Sequence, residues 1–174
     1  RAPFLLARAL APRLKQTGGS VVNISSINGQ KNARDNLVYD SLKAALDHMT
    51  RGLALDLPGV RINAVAPGGT ATPGLGEWLD RAVGSKGLTP EQEMQRLVEG
   101  QEIATGEDIA AVVLFLLSPA GRWINGEVIT ADNAAHLKVD DLLDFRQAQR
   151  REDDDLINTI EEFRPEGITH GLLD

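Results

Sequence analysis

Three side chains carry the clearest chemistry in this sequence: Ser26, Tyr39 and Lys43. Tyr39 and Lys43 are four residues apart, so a helix sets them on one face. An ammonium beside a phenol favours the ionised phenol, and a tyrosine in that setting can give or take a proton near neutral pH. The ordinary alternative is a helix-surface tyrosine beside a solvated lysine. Context favours chemistry. Ser26 closes the β-branched run Val21–Ser26, thirteen residues before Tyr39. In open α/β sheets, ligands bind beyond the carboxyl ends of the strands, where a hydroxyl can hold a substrate oxygen. Pro67-Gly68 follows a second β-branched run, Val60–Ala66, and a glycine there lets the backbone approach a ligand closely.

Elements that could position these groups follow from the pattern. Arg1–Gln16 reads as an amphipathic helix with Phe4, Leu5, Ala7, Leu10 and Leu14 near helical spacing, Pro12 inside it and Gly18-Gly19 at its end. Val21–Ser26 reads as a buried strand and Ile27–Leu37 as a loop. Tyr39–Leu57 is the strongest helix, with Leu42, Leu46, Met49 and Leu53 as one stripe that draws Tyr39 and Lys43 toward the interior. Val60–Ala66 is a second strand. Residues 68–105 form a variable region in which Thr89-Pro90-Glu91-Gln92 starts a helix. Thr105-Gly106-Glu107-Asp108 starts another, running through Ile109–Leu117, and Glu127–Ala131 is a third strand. Alternation of helix and strand favours a parallel sheet covered by helices.

Composition sets the outer limits. The chain has 174 residues, 18 Lys+Arg against 25 Asp+Glu, and a net charge of −7, which suits a folded domain and argues against nucleic acid as a default partner. Without cysteine there is no disulfide framework, thiolate catalysis or cysteine zinc site. The longest apolar run, Ile109–Leu117, is too short to cross a bilayer. Residues 138–174 hold 11 acids and 5 bases, so nearly all the net charge sits there. They read as an acidic helical extension following a domain over 1–137, with Arg150–Asp155 as a solvated connector. His48, His136 and His170 share no metal-ligand spacing, and Asp153-Asp154-Asp155 lacks the pattern of a calcium loop. Lys31 and Arg34, with Asp35 beside them, lie in the loop before Tyr39, where solvated charges are the ordinary case and attraction of an anionic substrate the sharper one. Trp78 and Met94 fit either a substrate pocket or helix packing.

The set Asn23-Ile24-Ser25-Ser26, Tyr39-x-x-x-Lys43-Ala44-Ala45, Arg61-Ile62-Asn63-Ala64-Val65-Ala66-Pro67-Gly68 and Thr72 resembles the classical short-chain dehydrogenase/reductase family, as do Glu107-Asp108-Ile109-Ala110 and Ile124-Asn125-Gly126-Glu127-Val128-Ile129. The resemblance covers about residues 1–134. It implies a Rossmann-type doubly wound parallel sheet and NAD- or NADP-dependent hydride transfer between an alcohol and a ketone or aldehyde. Tyr39 would be the acid/base. Lys43 would favour its ionised form and bind the nicotinamide ribose, and Ser26 would polarise the substrate carbonyl. Pro67, Gly68, Thr70 and Thr72 would wrap the nicotinamide. The family's glycine-rich cofactor turn is absent, as is its catalytic Asn. The N-terminal half of the fold, on the order of a hundred residues, is therefore expected to lie outside this chain, leaving an open sheet edge and poor dinucleotide binding. The family's glycine pair after the last strand is replaced by Asn133-Ala134, with Asp132 kept. A small carbonyl or alcohol substrate, a homodimer or homotetramer and, by default, the cytoplasm are expected. A non-catalytic assembly partner and one half of a split reductase are the alternatives.

Overall fold

The computed structural model describes residues 1–33, 36–82 and 88–137. The proposed extension over 138–174, with His170, the Arg150–Asp155 run and Asp153-Asp154-Asp155, lies outside the described residues, as do Arg34, Asp35 and the side chain of Trp78. Three strands, β1 (Ser20–Ile24), β2 (Arg61–Pro67) and β3 (Val128–Ala131), pair in parallel in the order β1-β2-β3. The register sets Ile24 beside Val65, and Val65 beside Ile129. The outer edge of β1 has no strand partner among the described residues.

Helix α1 (Ala2–Thr17) runs through Pro12 and ends at Gly18, whose φ of 64° is the left-handed conformation that glycine adopts without a steric penalty. Helix α2 (Leu37–Asp56) connects β1 to β2. After β2 come α3 (Pro73–Ala82), α4 (Pro90–Glu99) and α5 (Gly106–Leu117). The predicted starts of α4 and α5 both form capping boxes. Thr89 pairs reciprocally with Gln92, and Thr105 with Asp108, satisfying amides that a helix start leaves free.

Side chains alternate across the strands, so the two sheet faces have different covers. On one face Ile62 joins Ala7 of α1, Leu53 of α2 and Val60, with Val21 and Met49 packed against them. Each large aliphatic side chain removed from water in this way contributes about 1.5–3 kcal/mol. Asn23 on that face donates through Nδ2 to Thr50 Oγ1 at 2.9 Å, tying β1 to α2. On the other face the Arg61 guanidinium donates to Leu116 O at 2.7 Å and Gly121 O at 3.0 Å, satisfying a carbonyl left free at the end of α5 and one in the 3-10 turn Pro119–Gly121 that follows. Asn63 is fully buried and bridges to the segment before β3, donating to Ile124 O at 3.0 Å and accepting from Glu127 N at 3.0 Å.

Packing departs from the expected stripes at two helices. In α1 the buried residues are Ala7 and Ala11, while Leu5, Leu6 and Leu10 are exposed, because small side chains let the helix lie close to its neighbours. In α2 the buried face is Asp40, Asp47, Thr50 and Leu53, and Leu42 is exposed. The hydrophobic spacing therefore places Leu53 and Met49 in the core but misplaces the inward face of the N-terminal half of α2, which turns carboxylates rather than leucines to the protein. β1 also differs from expectation. It ends at Ile24, and that residue is exposed rather than buried.

Candidate active site

Strand β1 delivers Ser25 and Ser26 to the carboxyl end of the sheet. Ser25 is buried, and its amide donates to Val65 O at 2.7 Å, extending the pairing one residue beyond the strand. Ser26 remains extended, with φ −161° and ψ 154°, and caps a single 3-10 turn, Ile27–Gly29, by accepting from Asn28 N at 3.2 Å. The loop expected over Ile27–Leu37 thus opens with an ordered turn.

Tyr39 and Lys43 lie in the first two turns of α2. Lys43 Nζ donates to Ile24 O at 3.0 Å, bringing the ammonium to the strand end that carries Ser26. The same Nζ is 5.4 Å from the centroid of the Tyr39 ring, within cation–π range. Tyr39 is 47% exposed, so its phenol meets solvent rather than the interior predicted from spacing. Ser26, Tyr39 and Lys43 are thereby brought to one strand end.

Pro67 ends β2, the strand beside β1, and Gly68 N donates to Ala131 O at 3.1 Å. A Cβ at Gly68 would lie 2.7 Å from Asp132 Cβ, so the close approach that requires glycine here is to the chain's own turn after β3. Beyond Gly68 the backbone pairs with Ala104: Ala104 N donates to Gly69 O at 2.9 Å, and Ala71 N donates to Ala104 O at 2.8 Å. Thr70 Oγ1 donates to Gly68 O at 3.2 Å. Thr72 Oγ1 accepts from Leu75 N at 3.3 Å at the start of α3. Both threonine hydroxyls therefore have partners within the segment.

A cavity of about 770 Å³ opens between α3 and α4, lined by Thr72, Pro73, Gly76, Glu77, Pro90 and Met94 among others. Met94 thus lines a cleft that begins at Thr72. A second cavity, about 490 Å³, lies among Gly69, Ile103, Thr105, Asp108, Asp132 and Asn133 and their neighbours. Lys31 and His48 are exposed. Among the described residues, no group of three or more His, Cys, Asp or Glu is placed to hold a metal, and no helix is long and apolar enough to cross a membrane.

Several polar residues at this end of the sheet make contacts that the sequence pattern does not show. Asp40 is buried and accepts from Asn28 Nδ2 at 2.8 Å and from Ala33 N at 2.7 Å. Its one sequence signal is an acid in the first turn of a helix, where the free amides favour it. Asp47 is also buried, and neither carboxylate oxygen has a hydrogen-bond partner among the described residues. Asp132 Oδ2 accepts from His136 N at 2.7 Å and lies 2.7 Å from His136 Nδ1, so His136 belongs to the turn after β3. Gln30 Nε2 donates to Thr130 Oγ1 at 3.2 Å, linking the serine loop to β3.

A parallel sheet covered on both faces, with a serine just past one strand and a Tyr-x-x-x-Lys pair on the next helix, is the arrangement of a Rossmann-type fold. The family described as enoyl-(acyl carrier protein) reductase matches residues 1–136. The 7alpha-hydroxysteroid dehydrogenase of Escherichia coli (strain K12) is 33% identical over 132 residues, covering 73% of this chain and 48% of that protein. The aldohexose dehydrogenase of Thermoplasma acidophilum superposes with a TM-score of 0.61 at 27% identity, over 69% of this chain and 49% of the other. A 7alpha-hydroxysteroid dehydrogenase solved with NADH and 7-oxo glycochenodeoxycholic acid superposes with a TM-score of 0.57 at 32% identity, over 74% of this chain and 49% of the other. The chain belongs to the short-chain dehydrogenase/reductase family. It spans about half the length of the curated relatives it matches.

Proposed function

We propose that this chain carries the proton-transfer and substrate-orienting groups of an NAD- or NADP-dependent oxidoreductase that interconverts a small alcohol and its ketone or aldehyde. The observation that carries this reading is the position of Lys43 Nζ, which is bound to Ile24 O at 3.0 Å and 5.4 Å from the Tyr39 ring. That one ammonium joins the helix bearing the acid to the strand end bearing the serine. The similar 7alpha-hydroxysteroid dehydrogenase solved with NADH supports the choice of cofactor.

The residues present fit a nicotinamide nucleoside. An ammonium has three donors, and the hydrogen bond to Ile24 O uses one, leaving two for ribose hydroxyls. Tyr39 is exposed enough to meet a ligand. Pro67 and Gly68 stand at the end of the adjacent strand, and with Thr70 and Thr72 on the segment that follows they would hold the nicotinamide. When bound, the nicotinamide supplies or accepts the hydride. In reduction Tyr39 passes its phenolic proton to the substrate oxygen while Ser26 Oγ donates a hydrogen bond to that oxygen; in oxidation the proton returns to Tyr39.

Met94 and Thr72 place the cleft between α3 and α4 next to the proposed cofactor loop, so we assign that cleft to the substrate's organic portion. Exposed Leu5, Leu6 and Leu10 of α1, with Leu42 of α2, support assembly as a homo-oligomer, a dimer or tetramer. The acidic segment over 138–174 is read as an extension of the domain over 1–137, and the cytoplasm as the site of action.

Tyr39→Phe tests the reading. It removes the hydroxyl and keeps the ring over Lys43. In the complete enzyme, carrying the glycine-rich cofactor half of the fold, NAD(P)(H)-linked turnover of alcohols or ketones is expected to fall by about 10²–10⁴-fold, with cofactor binding, followed by nicotinamide fluorescence, retained. Unchanged turnover refutes the assignment.

A further inference from the structure

Asp40 follows the proposed acid Tyr39 directly, yet its carboxylate is 2% exposed and turned toward the serine loop. One oxygen accepts from Asn28 Nδ2 at 2.8 Å and the other from Ala33 N at 2.7 Å, both short, charge-assisted geometries. Asn28 in turn donates its backbone N–H to Ser26 Oγ at 3.2 Å. A hydroxyl has one proton and two lone pairs. With one lone pair engaged by Asn28 N, the Ser26 oxygen is pinned at the mouth of its turn, and its proton remains the group available to a substrate oxygen.

We propose that Asp40 is a positioning residue of the reaction: through Asn28 it fixes Ser26 Oγ relative to Tyr39, with the serine hydroxyl set as donor. The inference rests on the proposed roles of Ser26 and Tyr39. Its physical content is that one carboxylate, rooted in the first turn of the helix that carries Tyr39, grips both ends of the segment 28–33. Ser26 and Tyr39 are thirteen residues apart along the chain, and most of the intervening loop is polar. Without the grip the serine would be carried by a loop free to shift, and a displacement of about 1 Å at a reacting centre costs about a hundredfold in rate.

The test exploits donor–acceptor complementarity. Asp40→Asn keeps the shape. If its carbonyl serves Ala33 N–H, its new amide meets Asn28, which must turn its own amide over to offer Oδ1, so a charge-assisted bond is exchanged for a neutral one. The double exchange Asn28→Asp with Asp40→Asn restores an amide donor facing a charged acceptor. Asn28→Ala opens the link from the loop side and leaves the Asp40–Ala33 bond intact, which keeps the test available if Asp40→Asn does not fold.

In the active protein, Asp40→Asn and Asn28→Ala are expected to lower kcat about a hundredfold, with KM for the nicotinamide cofactor changed less than about threefold. The double exchange should recover most of the loss. Amide hydrogen exchange supplies a readout independent of turnover. The Asn28 and Ala33 amides are expected to be protected in the parent. In Asp40→Asn, Asn28 is expected to lose that protection, and in the double exchange to regain it. Loss of activity in Tyr39→Phe with unchanged kcat in Asn28→Ala would overturn the inference and leave the proposed function standing. Full activity in Tyr39→Phe would remove the function on which it rests. Equal exchange of the Asn28 amide in the parent and in Asp40→Asn, or a double exchange no better than the single one, would overturn the relay itself.

Discussion

Replacing Asp47 by alanine should make the protein more stable. Asp47 sits one turn beyond Lys43 on the buried face of α2, 3% exposed, with no hydrogen-bond partner for either oxygen among the described residues. A buried polar group left without a partner costs about 1–3 kcal/mol, and a charged one more. Alanine also exceeds aspartate in helix propensity by up to about 0.7 kcal/mol. Against these stand the lost contacts of a side chain roughly one carboxyl group in size, worth about 1 kcal/mol. The balance is a gain of about 1–2 kcal/mol, or about 2–8 °C in Tm for a chain of this length. Urea unfolding followed by far-UV circular dichroism should show a higher midpoint at unchanged slope. A midpoint lower by 1 kcal/mol or more would refute the reasoning, because it would mean that the carboxylate contributes a favourable interaction. Gly29→Ala probes the same contact from the loop side. Its Cβ would stand 2.6 Å from Asp47 Oδ2 and 3.0 Å from the Lys43 carbonyl carbon. Alone it should cost about 1–3 kcal/mol by overpacking. Combined with Asp47→Ala it should cost less, though not nothing, since the Lys43 backbone stays in place. Additive losses would show that the two groups do not meet.

Two further outcomes follow from backbone and capping. Ala134 holds a φ of 61° in the turn after β3, a conformation that favours glycine, so Ala134→Gly should raise stability by about 0.5–1 kcal/mol in the same unfolding assay. The carboxyl of Asp108 is held below its ordinary value by the Thr105 hydroxyl first and the Thr105 backbone second. The proton is therefore bound more weakly in the folded state. The stabilisation is fully present above the ordinary carboxylate pKa near 4 and is lost as the pH falls through the lower folded value. Parent and Asp108→Ala should thus differ in unfolding midpoint at pH 7 and converge as the pH is lowered below 4. A constant difference would refute the capping account.

What the sequence disclosed and what it hid divide along one physical line. Elements were legible wherever an interaction is local. β-branched runs gave β2 and β3, and Gly18 marked the end of α1. The spacings Thr89 to Gln92 and Thr105 to Asp108 gave two helix starts that form both halves of their capping boxes. Tyr39, Lys43 and Ser26 stood out for a related reason, since helix periodicity and a strand end fix where they fall. The stripe did place Leu53 and Met49 in the core, but the buried face of the N-terminal half of α2 was not legible. Periodicity assigns Leu42 to the interior, but the fold buries Asp40 and Asp47, because that end of the helix packs on a polar loop rather than on the sheet. The partners of Asp40, namely Asn28 and Ala33, lie in a segment with no repeat, and only the folded chain brings them to it. The same holds for Asp132, which meets Gly68 across the strand ends, and for Arg61, whose shortest acceptors, Leu116 O and Gly121 O, lie more than fifty residues later in the chain. Groups able to move a proton can thus be read from their spacing, whereas the groups that aim them are bound by contacts across the fold. Under the proposed roles of Ser26 and Tyr39, that difference points to Asp40, rather than a further residue of the Tyr-x-x-x-Lys pattern, as the group that aims them.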